Sequence, residues 1–262
     1  MRLDIGVVVL AASLGLVSCE KAPPVRNAAP RISPKAQGST PTPVVRWFGS
    51  LRAIMHEGHT QSAVKLADVV PGPHVWGLGA LEGLHGEVTL LDDAAWLARP
   101  KVDGGAEVKQ AELDGVDAAQ GAALLVVANV DAWSEVAVRS ELAWSQIDSF
   151  VETQLATHGR ALDAPVAVRI EGPVSALKWH VVDGSKLAPG AGHADHARTA
   201  VSGIVDRVDA RLVGFFSTSH QGVFTHAGSR THFHVLIESK RLSGHVDSMT
   251  VQPGARLLIA AR

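Results

Sequence analysis

From His74 onward the apolar residues alternate with polar ones or run in short stretches ended by Gly, Asp and Ser, a pattern that predicts strands over Val75 to Leu81, Glu87 to Leu91, Ala122 to Val130, Pro165 to Val182 and Arg211 to Ser217. Two segments carry a helical period instead. Trp47, Leu51, Ile54 and Met55 recur at helical spacing up to Gly58, and Ile147, Phe150, Val151 and Leu155 share one face of a helix from about Ser145 to Thr157. The stretch from Asp183 to Ala200, rich in Gly, Ala, His and Asp, reads as a loop or a weak helix. Thr231 to Ile237 and a second run from Leu242 read as two strands joined by the polar turn Glu238 to Arg241. No repeat recurs at a fixed period.

The first 44 residues behave differently. Arg2 precedes an apolar stretch from Ile5 to Val17, too short to span a bilayer comfortably, and Leu16-Val17-Ser18-Cys19 is similar to a bacterial lipobox. Residues 1–19 are therefore expected to be a lipoprotein-type signal peptide, with the mature chain exported and anchored to the bacterial envelope through Cys19. A disulfide within the chain is excluded, since Cys19 is its one cysteine. Residues 20–44 hold six prolines among polar residues and read as a solvated tether, with a folded domain over 45–262.

Composition narrows the partners. With 46% apolar residues in 262, the chain can bury a substantial core. A formal charge of −2 and the lack of any basic run argue against nucleic acid, and the absence of Tyr argues against stacking platforms. The expected partner is a small molecule, with membrane contact only through the lipid anchor.

The chemistry concentrates at Thr231-His232-Phe233-His234-Val235 and Gly244-His245-Val246-Asp247. Strand alternation puts His232 and His234 on one face. If the turn spans Glu238 to Arg241, His234 lies opposite His245, with Cβ atoms roughly 5 Å apart. Three neutral imidazoles suit a divalent transition metal and leave a coordination position open; a cysteine-free nitrogen site fits zinc first, with iron, manganese, nickel and copper as alternatives. Asp247 shares that face and could orient a ligand histidine. The competing reading is a polar face of a half-exposed sheet with no metal. His56 and His59 are three apart, not the four a zincin helix requires, and read as surface residues; His193 and His196 are expected to be solvated.

With these residues in view, the chain resembles the α-acetolactate decarboxylases, whose metal site is likewise a His-x-His pair followed after ten residues by a third His in a Gly-His-Val context. Trp76 to Glu87 is similar to the family's Gly-x-Gly-Thr-Phe-x-x-Leu-Asp-Gly-Glu turn, Ala167 to Gly172 to its Arg-Ile-Asp-Gly strand, and Leu212 to Ser217 to the strand before its histidines. The matches run in order from about Trp47 to Ile259. The resemblance implies an α+β, mainly β fold, with a mixed β-sheet domain packed against a smaller barrel-like β domain carrying the three-His metal site. It implies decarboxylation of a 2-hydroxy-3-keto acid such as 2-acetolactate to acetoin and CO2. The metal would act as a Lewis acid on the substrate's hydroxyl and ketone oxygens, and Glu87 would transfer the proton that replaces CO2.

Departures fall at the site. Lys178-Trp179-His180 stand where the family has Arg-Thr-Arg, so His180 becomes a catalytic candidate, but neither Lys nor His reproduces a bidentate guanidinium. His85 replaces an Asp, two residues are inserted between Gly228 and His232, and the sequence stops at Arg262, before the family's further acidic residue. The alternative is a non-catalytic metal- or ligand-binding lipoprotein that retains the fold. A homodimer is one assembly the sequence leaves open.

Overall fold

The computed structural model describes residues 44–69, 74–92, 94–112, 117, 119–188, 191 and 193–261. The expected leader, Cys19 and the tether up to residue 43 lie outside the described residues.

The first sheet holds β1 (Arg46–Phe48), β2 (Val64–Lys65), β3 (Val75–Leu81), β4 (Glu87–Leu91), β5 (Ala94–Pro100), β6 (Ala106–Glu112) and β7 (Gly121–Asn129), ordered β1-β7-β3-β4-β5-β6 with β2 also beside β7. Between β1 and β3 lie the short helices α1 (Leu51–Glu57) and α2 (Leu66–Val69). Ser50 caps α1 by accepting from the Ala53 amide at 3.2 Å, and Gly58 ends it in the left-handed conformation at φ 69°. The helix starts later than its apolar spacing predicts, because Gly49 at φ 74° breaks the chain ahead of it; Trp47 belongs to β1.

The second sheet holds β8 (Trp133–Ala137), β9 (Val166–Val181), β10 (Val201–Phe216), β11 (Thr231–Ile237), β12 (Leu242–Val251) and β13 (Arg256–Ala260). Its order is β10-β11-β12-β9-β13-β8, with β10 also paired to β9. The strands β9, β10, β11 and β12 thus pair in a cycle, while β13 and β8 extend as open sheet, so the barrel character is partial. The ladders are antiparallel in both sheets. α3 (Trp144–Thr157) buries Ile147, Val151 and Leu155, as its period predicts. α4 (His193–Thr199) tops the β9–β10 connection.

The central strands β3, β4 and β7 of the first sheet are buried on both faces. Trp76, Leu78 and Leu124 join Val168, Phe215 and Phe233 of the second sheet in one core, whereas Val88, Leu90 and Val127 pack with Leu66 and Val69 in another. Alternation along β4 therefore turns Glu87 and Thr89 away from Val88 and Leu90 and toward the second sheet. This is how a carboxyl group from one sheet reaches the histidines of the other.

Candidate metal centre

The register is the one the hairpin predicts: His234 on β11 pairs with His245 on β12. His245 in turn pairs with His180 on β9, so three adjacent strands carry imidazoles in one row. His232 lies two residues from His234 on the same face and is buried, as are His234 and His245. Gly244 allows this close approach, since a Cβ there would meet the His180 carbonyl oxygen at 2.5 Å.

A further imidazole comes from the β10–β11 connection. His226 stands with its ring centroid 5.4 Å from His232 and 4.9 Å from His245. Donor nitrogens of His226, His232 and His245 all lie within 4.8 Å of one another, which is the three-histidine set able to hold a metal ion. The His234 ring stands next to it, 5.4 Å from His232 and 5.7 Å from His245. His234 Nδ1 faces Thr89 Oγ1 at 3.1 Å, and the Ser243 hydroxyl donates to the same Thr89 oxygen at 3.0 Å.

The donor chemistry fits a cation. The His232 Nδ1–H donates to the Phe224 carbonyl at 2.6 Å, so Nε2 carries the lone pair of the neutral ring, and it faces His245 Nδ1 at 2.9 Å. Two ring nitrogens facing each other at that distance share either a proton or a cation. Burial, reinforced by the neighbouring imidazoles, holds His232 and His245 well below the ordinary imidazole value. Burial likewise takes His234 down to about 3. The rings are thereby neutral, the form that ligates.

Two acid–base groups flank them. Burial raises Glu87 to about 8, against smaller opposing effects from the His180 charge and the Val182 amide. Its Oε2 lies 3.8 Å from His234 Nε2, and with both groups neutral near pH 7 the contact is not an ion pair. His180 Nδ1 donates to Asp247 Oδ1 at 2.8 Å. Burial lowers the His180 value, but the bond to Asp247, together with the Asp247 charge and that of Glu87 once it ionises, outweighs it, so His180 stands above the ordinary imidazole value. Asp247 reaches this position because β12 bulges there, its ladder to β9 shifting between Val246 and Ser248. It orients His180 rather than a hairpin histidine.

The site opens into a cavity of about 580 Å³ lined by His180, His196, His226, His232, His245, Asp247 and several apolar residues, a size suited to a small ligand. No Lys or Arg is among its described lining residues. Lys178 is exposed and lies outside it, so His180 alone stands where the sequence resemblance placed a cationic pair. His196 corrects the expectation of a solvated side chain: α4 folds it inward, and it is 6% exposed. His56 and His59 are exposed, as expected. Periodicity gave no sign of His226; its one sequence signal was proximity to the His-x-His pair in a loop lengthened before β11.

Residues 48–260 match the family model described as Alpha-acetolactate decarboxylase. No curated protein matches the chain by sequence. Among solved structures, the chain is similar to an acetolactate decarboxylase from Bacillus subtilis subspecies spizizenii, with 16% identity, a TM-score of 0.66 and coverage of 83% of this chain and 86% of that one. It is similar to the alpha-acetolactate decarboxylase of Bacillus subtilis strain 168 at 16% identity, TM-score 0.65, covering 83% and 85%. A Staphylococcus aureus protein of unknown function, similar to alpha-acetolactate decarboxylase, matches at 17% identity and TM-score 0.64, covering 82% and 84%.

Proposed function

We propose a function from one premise: this chain belongs to the alpha-acetolactate decarboxylase family. The reading is a metal-dependent carboxy-lyase that takes a small 2-hydroxy-3-keto acid such as 2-acetolactate to acetoin and CO2. Zinc suits the nitrogen donors, and the family pattern names His232, His234 and His245 as ligands. When bound, the metal supplies Lewis acidity toward the substrate's paired oxygens.

The chain's own residues supply the rest. Loss of CO2 breaks a carbon–carbon bond and leaves its electron pair on the substrate carbon, which must then take a proton. Glu87, buried at the edge of the histidine cluster with Oε2 3.8 Å from His234 Nε2, is placed to deliver that proton, and this placement carries the proposal; burial, which raises the carboxyl to about 8, agrees with it. His180, oriented by Asp247, is the cation that faces the substrate carboxylate. The apolar parts of the cavity keep bulk water from the carbon being protonated. Export and acylation at Cys19 would put the reaction at the cell envelope.

Acetoin release from racemic acetolactate by zinc-loaded protein, against a chelator-treated sample, tests the reading. Metal-dependent release is expected. No release from folded, metal-loaded protein would overturn it in favour of a metal- or ligand-binding protein, a second reading favoured by the lack of Lys and Arg among the described lining residues.

A further inference from the structure

We infer that His226 is itself a ligand of the metal, a fourth imidazole brought by the β10–β11 connection to the histidines of the hairpin. The inference rests on the metal reading above and adds a residue that the sequence resemblance does not name.

Three observations carry it. The donor nitrogens of His226, His232 and His245 fall within 4.8 Å of one another, near enough for one ion to be shared among them. The segment that holds His226 is pinned rather than loose: the Ser217 amide donates to the Arg230 carbonyl at 2.8 Å, the Leu51 amide donates to the Val223 carbonyl at 2.8 Å, and Phe224 is fully buried. That segment also sets the tautomer of His232 through the Phe224 carbonyl, two residues before His226. One loop therefore orients a hairpin ligand and presents its own imidazole to the same point, an arrangement in which a supporting contact and a ligand are coupled.

With the hairpin imidazoles bound, His226 would take the position that three histidines leave open, and a substrate's paired oxygens would have to compete with it there.

The test uses the full chain loaded with Co2+ as a spectroscopic stand-in for zinc, with metal affinity from chelator competition and visible absorption reporting the ligand set. His226→Gln is compared with wild type and with the exposed-site control His56→Gln, and circular dichroism verifies the fold; His226→Asn carries the same readout if the Gln variant misfolds. The expected result is metal affinity at least about tenfold weaker and an altered absorption band, with the control unchanged. A His226 variant matching wild type in affinity and spectrum overturns the inference alone. A wild-type protein that binds neither Co2+ nor zinc overturns the metal reading as well.

Discussion

Glu87 is a carboxyl group placed where its charge is costly. Its ordinary value of 4.5 rises to about 8, chiefly through burial. Between those values the folded chain holds a proton that the unfolded chain releases, so this group's stability contribution is complete below about pH 4.5 and is lost as pH rises through about 8. The buried histidines work in the opposite sense: their values are lowered, so their contribution is present above about 6.5 and is lost as pH falls. Glu87→Gln should remove only the alkaline loss. In thermal melts of chelator-treated protein, the variant's midpoint should gain on wild type between roughly pH 5 and pH 9, and a constant difference would show that Glu87 does not titrate in this range. Residue chemistry was legible in the sequence where a strand fixed it. His232 and His234 share a face because their spacing forces it, whereas His226 and His196 occupy segments without periodicity, and nothing local says which way their rings point.

At the scale of elements, the β11–β12 hairpin was readable because a polar four-residue turn between two apolar runs leaves one register that buries both. Of the strands missed, several have a sequence that weakens the pattern, although β5 and the apolar β13 were missed as well. β6 reads Ala-Glu-Val-Lys-Gln-Ala-Glu at the edge of its sheet, β8 is an edge strand of mixed polarity, and the first half of β10 carries Gly203, Asp206 and Asp209 along a half-exposed ladder. β10 starts at Val201 rather than near Arg211 because pairing with β9 holds it extended as far as Val181. Gly244 is where element packing and the site meet. Since a Cβ there would press on the backbone oxygen of His180, Gly244→Ala must push β12 from β9. The expected cost is about 1–3 kcal/mol of stability, as for overpacking in a core. Metal affinity should fall with it, as His245 moves with the strand. Calorimetry and chelator competition on the same variant check both; unchanged values would mean that the two strands separate without strain.

At the scale of the molecule, the metal reading makes a statement about stability. The ligand candidates come from a loop and two strands, and Glu87 comes from the other sheet, so the arrangement exists only when both sheets share their core. A metal that binds this arrangement and not the unfolded chain stabilises by mass action, about 2.7 kcal/mol when free metal is at 100 times its dissociation constant. For a domain of this size each kcal/mol moves the melting midpoint by about 2–4 °C, so zinc should raise it by roughly 5–10 °C over a chelated sample. Because burial already keeps His232, His234 and His245 neutral, the shift should persist at pH 6, where ordinary histidines begin to protonate and release their metals. A shift present at pH 8 and gone at pH 6 would mean that the ligands titrate like exposed imidazoles, which is incompatible with a site built into the shared core.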